Sequence, residues 1–274
     1  MKRQKLRKII IFISFLLFPL TLYYFSPYLI IRGAAEGVIV GSFIVFTAMF
    51  IGSLIFGRLF CGWICPGGGL QEACTLISDK KAKGGKLNLI KYFVWIPWIL
   101  SITLSALHAG GFKKLDFFYE TFYGISVSRP EAYIIYYIVV FLIFMLFILG
   151  GKRSFCHYLC WMSPFMIIGK NVSKLLRIPS LNLKSEKEKC IGCGQCSKKC
   201  PMSLDVKKMI QGKGIDDNEC ILCGECIDAC PKKVITYTFN HESATKTKQQ
   251  KGAVAQSYQC QTLKNDTNQL ISKK

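Results

Sequence analysis

The sequence predicts two unlike parts, an α-helical membrane array of four transmembrane helices built as a duplicated hairpin and, after it, a small cysteine-rich α+β module. Three observations carry that prediction. The first 150 of 274 residues concentrate the apolar and aromatic side chains, in four runs of the ~20 residues that a bilayer core requires. Eight cysteines then fall in two copies of one spacing between residues 190 and 230. The basic residues cluster at alternate ends of the apolar runs, as membrane topology arranges them.

The first run, 9–31, follows Lys2, Arg3, Lys5, Arg7 and Lys8. A cleaved signal peptide shares that basic start but has a shorter apolar core and ends in small residues. Here Tyr23, Tyr24 and Phe25 follow Pro19, so the run reads as an uncleaved anchor. The second run, 34–56, comes with Gly33, Gly37 and Gly41 at four-residue intervals. That line would let another helix approach closely; glycine merely tolerated in an apolar helix is the plainer alternative. The third and fourth runs are 89–109 and 132–149.

A net charge of +20 raises nucleic acid as a partner until its distribution is read. Residues 1–184 carry 21 Lys/Arg against 6 Asp/Glu, residues 185–240 carry 9 against 8, and residues 241–274 carry 6 against 2. The excess therefore flanks apolar segments, and no nucleic-acid partner is expected. The N-terminus, the loop 58–91 and the segment 151–184 hold 5, 6 and 6 basic residues, whereas the two intervening loops together hold 4 basic and 4 acidic. Four spans in the cytoplasmic (inner) membrane, with both termini cytoplasmic, satisfy this asymmetry. The expected parts are a transmembrane domain 1–160, an interfacial helix and linker 161–184, a cysteine module 185–240 and a disordered tail 241–274.

The module repeats one motif, Cys190, Cys193, Cys196, Cys200-Pro201 and Cys220, Cys223, Cys226, Cys230-Pro231. Each copy reads C-x2-C-x2-C-x3-C-P, the spacing by which bacterial-type ferredoxins hold two [4Fe–4S] clusters. In those proteins the fourth cysteine of each run serves the other cluster. Carried onto this chain, cluster 1 takes Cys190, Cys193, Cys196 and Cys230, and cluster 2 takes Cys220, Cys223, Cys226 and Cys200. Structural zinc needs only two C-x2-C pairs per site, and leaves the third cysteine, the C-x3-C-P ending and the internal repeat without a role. Thiolate ligands of this kind also fit a reducing compartment better than a disulfide scaffold does.

Two further pairs, Cys61/Cys65 and Cys156/Cys160, sit in matching contexts, Arg58-Leu59-Phe60-Cys61 and Arg153-Ser154-Phe155-Cys156. Each follows an even-numbered span, so a pseudo-twofold arrangement would bring all four cysteines together. Four thiolates would suit an additional iron–sulfur centre or metal ion, and neighbouring pairs would suit dithiol chemistry; buried free cysteines are the alternative. Cys74 and Cys260 stand outside these groups. Histidine occurs only at 108, 157 and 241, which argues against bis-histidine haem inside the bilayer. Glycine-rich dinucleotide and phosphate fingerprints are missing as well. The aromatic loop 108–131 fits an interfacial belt, Ser163-Pro164 a helix start, and Val234 to Phe239 a strand.

With CGWICP at 61–66, CHYLCWMSP at 156–164 and the double cluster signature, residues 8–240 resemble the NapH/NosR/CcoG-type membrane polyferredoxins. Trp161 stands where that family places a proline. The resemblance implies an electron-transfer component of the cytoplasmic membrane, linked to quinol oxidation and to a respiratory reductase or to oxidase assembly. The expected function is one-electron transfer between a membrane donor, with quinol the leading choice, and a partner redox protein, in the manner of a quinol dehydrogenase subunit. The rival expectations are a metal-reducing assembly factor for a respiratory metalloenzyme and a redox-sensing scaffold.

Overall fold

The computed structural model describes residues 2–212 and 214–240; the tail from 241 onward, with Cys260, lies outside the described residues. The expected straight span over 9–31 is broken. Helix α1 (Lys2–Leu16) ends before Pro19 and the chain bends by 60° into a segment that closes at Phe25. Ser26 then accepts a hydrogen bond from the Leu29 amide, and Pro27 opens α2 (Pro27–Ala35). A proline at the first helical position and a serine cap before it start a new helix instead of continuing the old one.

The second expected span is also divided. Gly37 takes a left-handed φ of +67°, strand β1 (Val38–Val40) follows, and only then does α3 (Gly41–Phe56) begin. The three glycines therefore do not form one helical stripe, and Gly41 matters for a different reason: a Cβ there would meet the Phe117 carbonyl. Strand β1 pairs in parallel with β2 (Lys114–Asp116) from the aromatic loop. At 16 residues, α3 is about 24 Å long, shorter than a hydrocarbon core of ~30 Å.

Two short helices follow, α4 (Leu59–Trp63) and α5 (Pro66–Ala73), and then the two long apolar helices that the sequence predicts, α6 (Ile90–His108) and α7 (Pro130–Gly150). Both are long and apolar enough to cross a membrane, and the bent N-terminal pair would make a third such element. On α6, Phe93, Ile96, Leu100, Leu104 and Leu107 form an exposed apolar row at three- and four-residue spacing, a face that needs apolar cover.

After α7 the chain repeats the earlier order, with α8 (Ser154–Tyr158) and then α9 (Ser163–Leu175), which begins at the expected Ser163-Pro164. Helix α9 is drawn into the bundle along α3. A Cβ at Gly169 would collide with Ser53 and the Phe50 carbonyl, and Phe165 lies edge-on to Phe46, Trp95 and Trp98 at 5.6, 5.3 and 5.7 Å. The cysteine module is closed by β3 (Ser180–Ser185) paired antiparallel with β4 (Ile235–Asn240), in the register Leu183 to Tyr237. Between them lie α10 (Gln195–Lys199), α11 (Val206–Gln211) and α12 (Glu225–Asp228). Gly194 and Gly224 precede α10 and α12 with φ of +74° and +76°, so the 30-residue repeat is kept in the backbone as well as in the cysteines.

Candidate cluster-binding site

Cys190, Cys193 and Cys196 line one cavity together with Cys230, the cysteine drawn from the other copy of the motif. Gly192 and Gly194 are also in the lining, both with positive φ, a backbone conformation that glycine adopts at no steric cost. Cys193 is exposed, Cys190 and Cys230 half-buried, and Cys196 buried.

The second set lies deeper. Cys200, Cys223 and Cys226 are buried and Cys220 half-buried. Burial pushes Cys200 up to about 11 with Cys220 adding to it, and pushes Cys223 up to about 12 with Cys200 and Cys220 adding to it. Cys226 is raised further by burial and by Cys223, Cys220 and Cys200. Thiols packed this closely out of water resist ionisation, and a cationic core among them is what makes thiolates favourable. The first set thus brings Cys230 beside the first copy, and the second brings Cys200 beside Cys220.

The juxtamembrane cysteines converge too. Burial raises Cys65 to about 12, with Cys61 and Cys156 contributing, and Cys160 is raised by burial and then by Cys156, Cys61 and Cys65. The two halves of this group are built alike. The amides of Ile64 and Cys65 both donate to the Phe60 carbonyl, at 2.9 and 3.0 Å, and those of Leu159 and Cys160 both donate to that of Phe155, at 3.0 and 2.9 Å. Among the described residues no three His, Cys, Asp or Glu side chains close on a point as ligands of one ion would.

Two buried arginines face these four thiols. Arg58 Nη1 donates to the Asn218 carbonyl and to Glu219, each at 2.8 Å, while Nε and Nη2 have no protein partner. Its charge lowers the Cys61 thiol against the larger effect of burial. Arg153 Nη1 donates to the Cys61 carbonyl at 2.9 Å and Nη2 to Glu72 at 2.7 Å, leaving Nε without a partner. Unpaired guanidinium donors are costly in a buried place. The leftover donors thus lie beside the four grouped thiols.

The charges around this group exceed their counter-charges. Arg58 and Lys91 share Glu219, and Arg7 and Arg153 share Glu72, with Glu225 reaching Arg7 at 3.1 Å. His157 is buried and held neutral, its pKa lowered to about 4 chiefly by burial; its ring nitrogens reach Asn88 at 3.0 Å and the Met202 carbonyl at 3.1 Å. It ties α8 to the cysteine module and does not point to haem.

The loop bearing Cys220 to Cys226 is the one seated on this group. A Cβ at Gly62 would run into the Ile221 carbonyl, Trp63 Nε1 donates to the Leu222 carbonyl at 3.3 Å, and Gln4 donates to the Cys223 carbonyl at 3.1 Å. Sequence reading found the cysteines but missed this seat, because each contact joins residues more than 150 positions apart. The aligned arginines of the two R-x-F-C segments were its only visible signal.

Comparison with known proteins agrees with the metal chemistry. Residues 189–235 match the family described as a 4Fe-4S dicluster domain, and residues 38–83 and 132–179 each match a 4Fe-4S binding domain. The chain is 27% identical over 212 residues to YccM of Escherichia coli (strain K12), whose name points to electron transport; that alignment covers 69% of this chain and 54% of YccM. It is 29% identical over 199 residues to an uncharacterised protein of Methanocaldococcus jannaschii, covering 67% of this chain and 69% of that protein. It is 27% identical over 200 residues to the methylamine utilization ferredoxin-type protein MauN of Paracoccus denitrificans, covering 69% of this chain and 65% of MauN. No solved structure matches. The chain is thus an iron–sulfur protein of the electron-transfer kind.

Proposed function

We propose that the chain is a membrane-anchored one-electron carrier with three iron–sulfur sites in a row, held by Cys61/Cys65/Cys156/Cys160, by the cluster 2 cysteines and by the cluster 1 cysteines. The observation that carries this reading is the seating of the Cys220–Cys226 loop on α4, which leaves the cluster 1 loop outermost. When bound, such clusters supply one-electron transfer. The residues of the chain set the order: Gly62 permits close approach, Arg58 lies between the Cys61 thiol and Glu219, and burial of the first two sites excludes water. Four crossings, counting the bent pair and the short α3, with both termini cytoplasmic, remain the topology that the basic-residue asymmetry supports.

Quinol is the donor that the apolar part favours. A cavity of about 480 Å³ is lined by Pro66, Phe155 and Trp161, the sequence neighbours of Cys65, Cys156 and Cys160, together with Phe18, Val139 and Leu142. Its size is within the ~300–1,000 Å³ of small-molecule sites. In lipid vesicles, a reduced quinone analogue is expected to bleach the cluster absorbance. Val139→Trp, which fills the cavity, should slow bleaching at least tenfold while iron content and dithionite reduction stay unchanged. Bleaching by dithionite alone, with no response to quinol, would contradict this donor. A metal-reducing assembly factor would instead show metal reduction that depends on Cys61 and Cys156, with quinol-linked reduction of the cluster pair unaffected by their replacement.

A further inference from the structure

The two copies of the cluster motif differ in charge at matching positions. Glu219, Glu225 and Asp228 of the second copy correspond, 30 residues earlier, to Lys189, Gln195 and Lys198 of the first. All three acids of the second copy are used against the helical part: Glu219 with Arg58 and Lys91, Glu225 with Arg7, and Asp228 with Arg3 at 2.9 Å. The apolar centre of that contact is Ile221, 1% exposed against Gly62. Its counterpart in the first copy, Ile191, is 60% exposed. At the outermost cysteines the first copy therefore exposes Ile191 with a lysine in place of two of the three acids, Lys189, which also pairs with Glu186 at 2.6 Å, and Lys198, and with the neutral Gln195 in place of the third.

The polarity extends around it. Lys198, Lys199, Lys232 and Lys233 are exposed, and Lys207 and Lys232 line the cluster 1 cavity itself. The module is near neutral as a whole; Asp216, Glu219, Glu225 and Asp228 pair with the helical part, while Glu186, Glu188 and Asp205 are exposed together with the lysines.

We propose that the face around Ile191, Lys189 and Lys198 docks an acidic one-electron carrier protein, in the way that the second copy docks on the basic helical part. Ile191 supplies the apolar centre and the lysines supply steering, so that association is fast and salt-sensitive. The proposal rests on the reading of cluster 1 as the outer end of the carrier.

The test uses the full chain in neutral phosphatidylcholine nanodiscs, with a flavodoxin as the acidic probe and cytochrome c as a basic one. Flavodoxin binding is expected to weaken at least tenfold between about 20 and 200 mM salt, as screening of exposed charges requires. K189E/K198E should weaken it about tenfold at low salt, and I191A severalfold, with iron content unchanged. After reduction of the chain with dithionite, one electron should pass to each oxidised flavodoxin, at a rate that follows the binding. Binding that ignores both salt and the variants, preference for cytochrome c, or lysine-dependent capture of anionic lipid vesicles in place of flavodoxin would overturn the proposal. Docking without electron passage would leave the docking face standing and remove the carrier reading.

Discussion

Glu219→Ala is expected to be among the most damaging single changes in the chain. Glu219 accepts from Arg58 at 2.8 Å and from Lys91 at 2.5 Å, and both cations are fully buried. Removing one partner of a buried ion pair typically costs about 3–5 kcal/mol, because the charges left behind have no water and no counter-ion. Here two cations would be left, one on α6 and one beside Cys61. The loss should show as a large drop in the thermal unfolding midpoint of the detergent-solubilised protein. Asp216→Asn provides the contrast, since the Asp216 carboxylate is a third exposed and such pairs contribute only ~0–1 kcal/mol. Equal effects of the two variants would contradict the assignment of Glu219 as the buried hub.

Glu72→Ala should cost a similar amount, about 3–5 kcal/mol on the same grounds, but with a different signature. Burial alone would raise the Glu72 pKa, yet Arg153 and Arg7 outweigh it and hold the carboxyl down to about 2. A carboxylate with a depressed folded pKa stabilises fully above its unfolded value of about 4.5, and that contribution fades as pH falls toward 2. Arg7 of α1 and Arg153, the residue before α8, both donate to this carboxylate. Its loss should free α1, so amide exchange is expected to rise across residues 4–11 before the cysteine module opens. Unchanged exchange in α1 would show that its other contacts, among them Gln4 with Cys223, Arg3 with Asp228 and Arg7 with Glu225, hold it without Glu72.

Much of this was legible in the residues. Cysteine spacing suggests the cross-paired ligand sets, because a tight C-x2-C-x2-C loop can wrap three corners of a cluster and needs a distant fourth. The long helices α6 and α7 were equally plain, being uninterrupted apolar runs. The first two spans were not, since apolar composition does not register that Pro19, Ser26-Pro27 and the left-handed Gly37 end helices within an apolar stretch. The charge network was hidden for another reason. Arg7, Arg58, Lys91 and Arg153 look like basic residues at membrane ends, and only the fold turns them inward onto Glu72 and Glu219. The same step explains why a nearly neutral module came to have an acidic seat.

Under the proposed function, Cys61, Cys65, Cys156 and Cys160 hold a centre of their own beside the cluster pair. The direct measurement is iron and acid-labile sulfide per chain after anaerobic purification, for the native sequence and for C61S/C156S. Three [4Fe–4S] sites predict about twelve irons in the native chain and about eight in the variant, with the spectroscopic signature of the ferredoxin-type pair retained. About eight irons in both would contradict a third site and leave the four juxtamembrane cysteines as thiols.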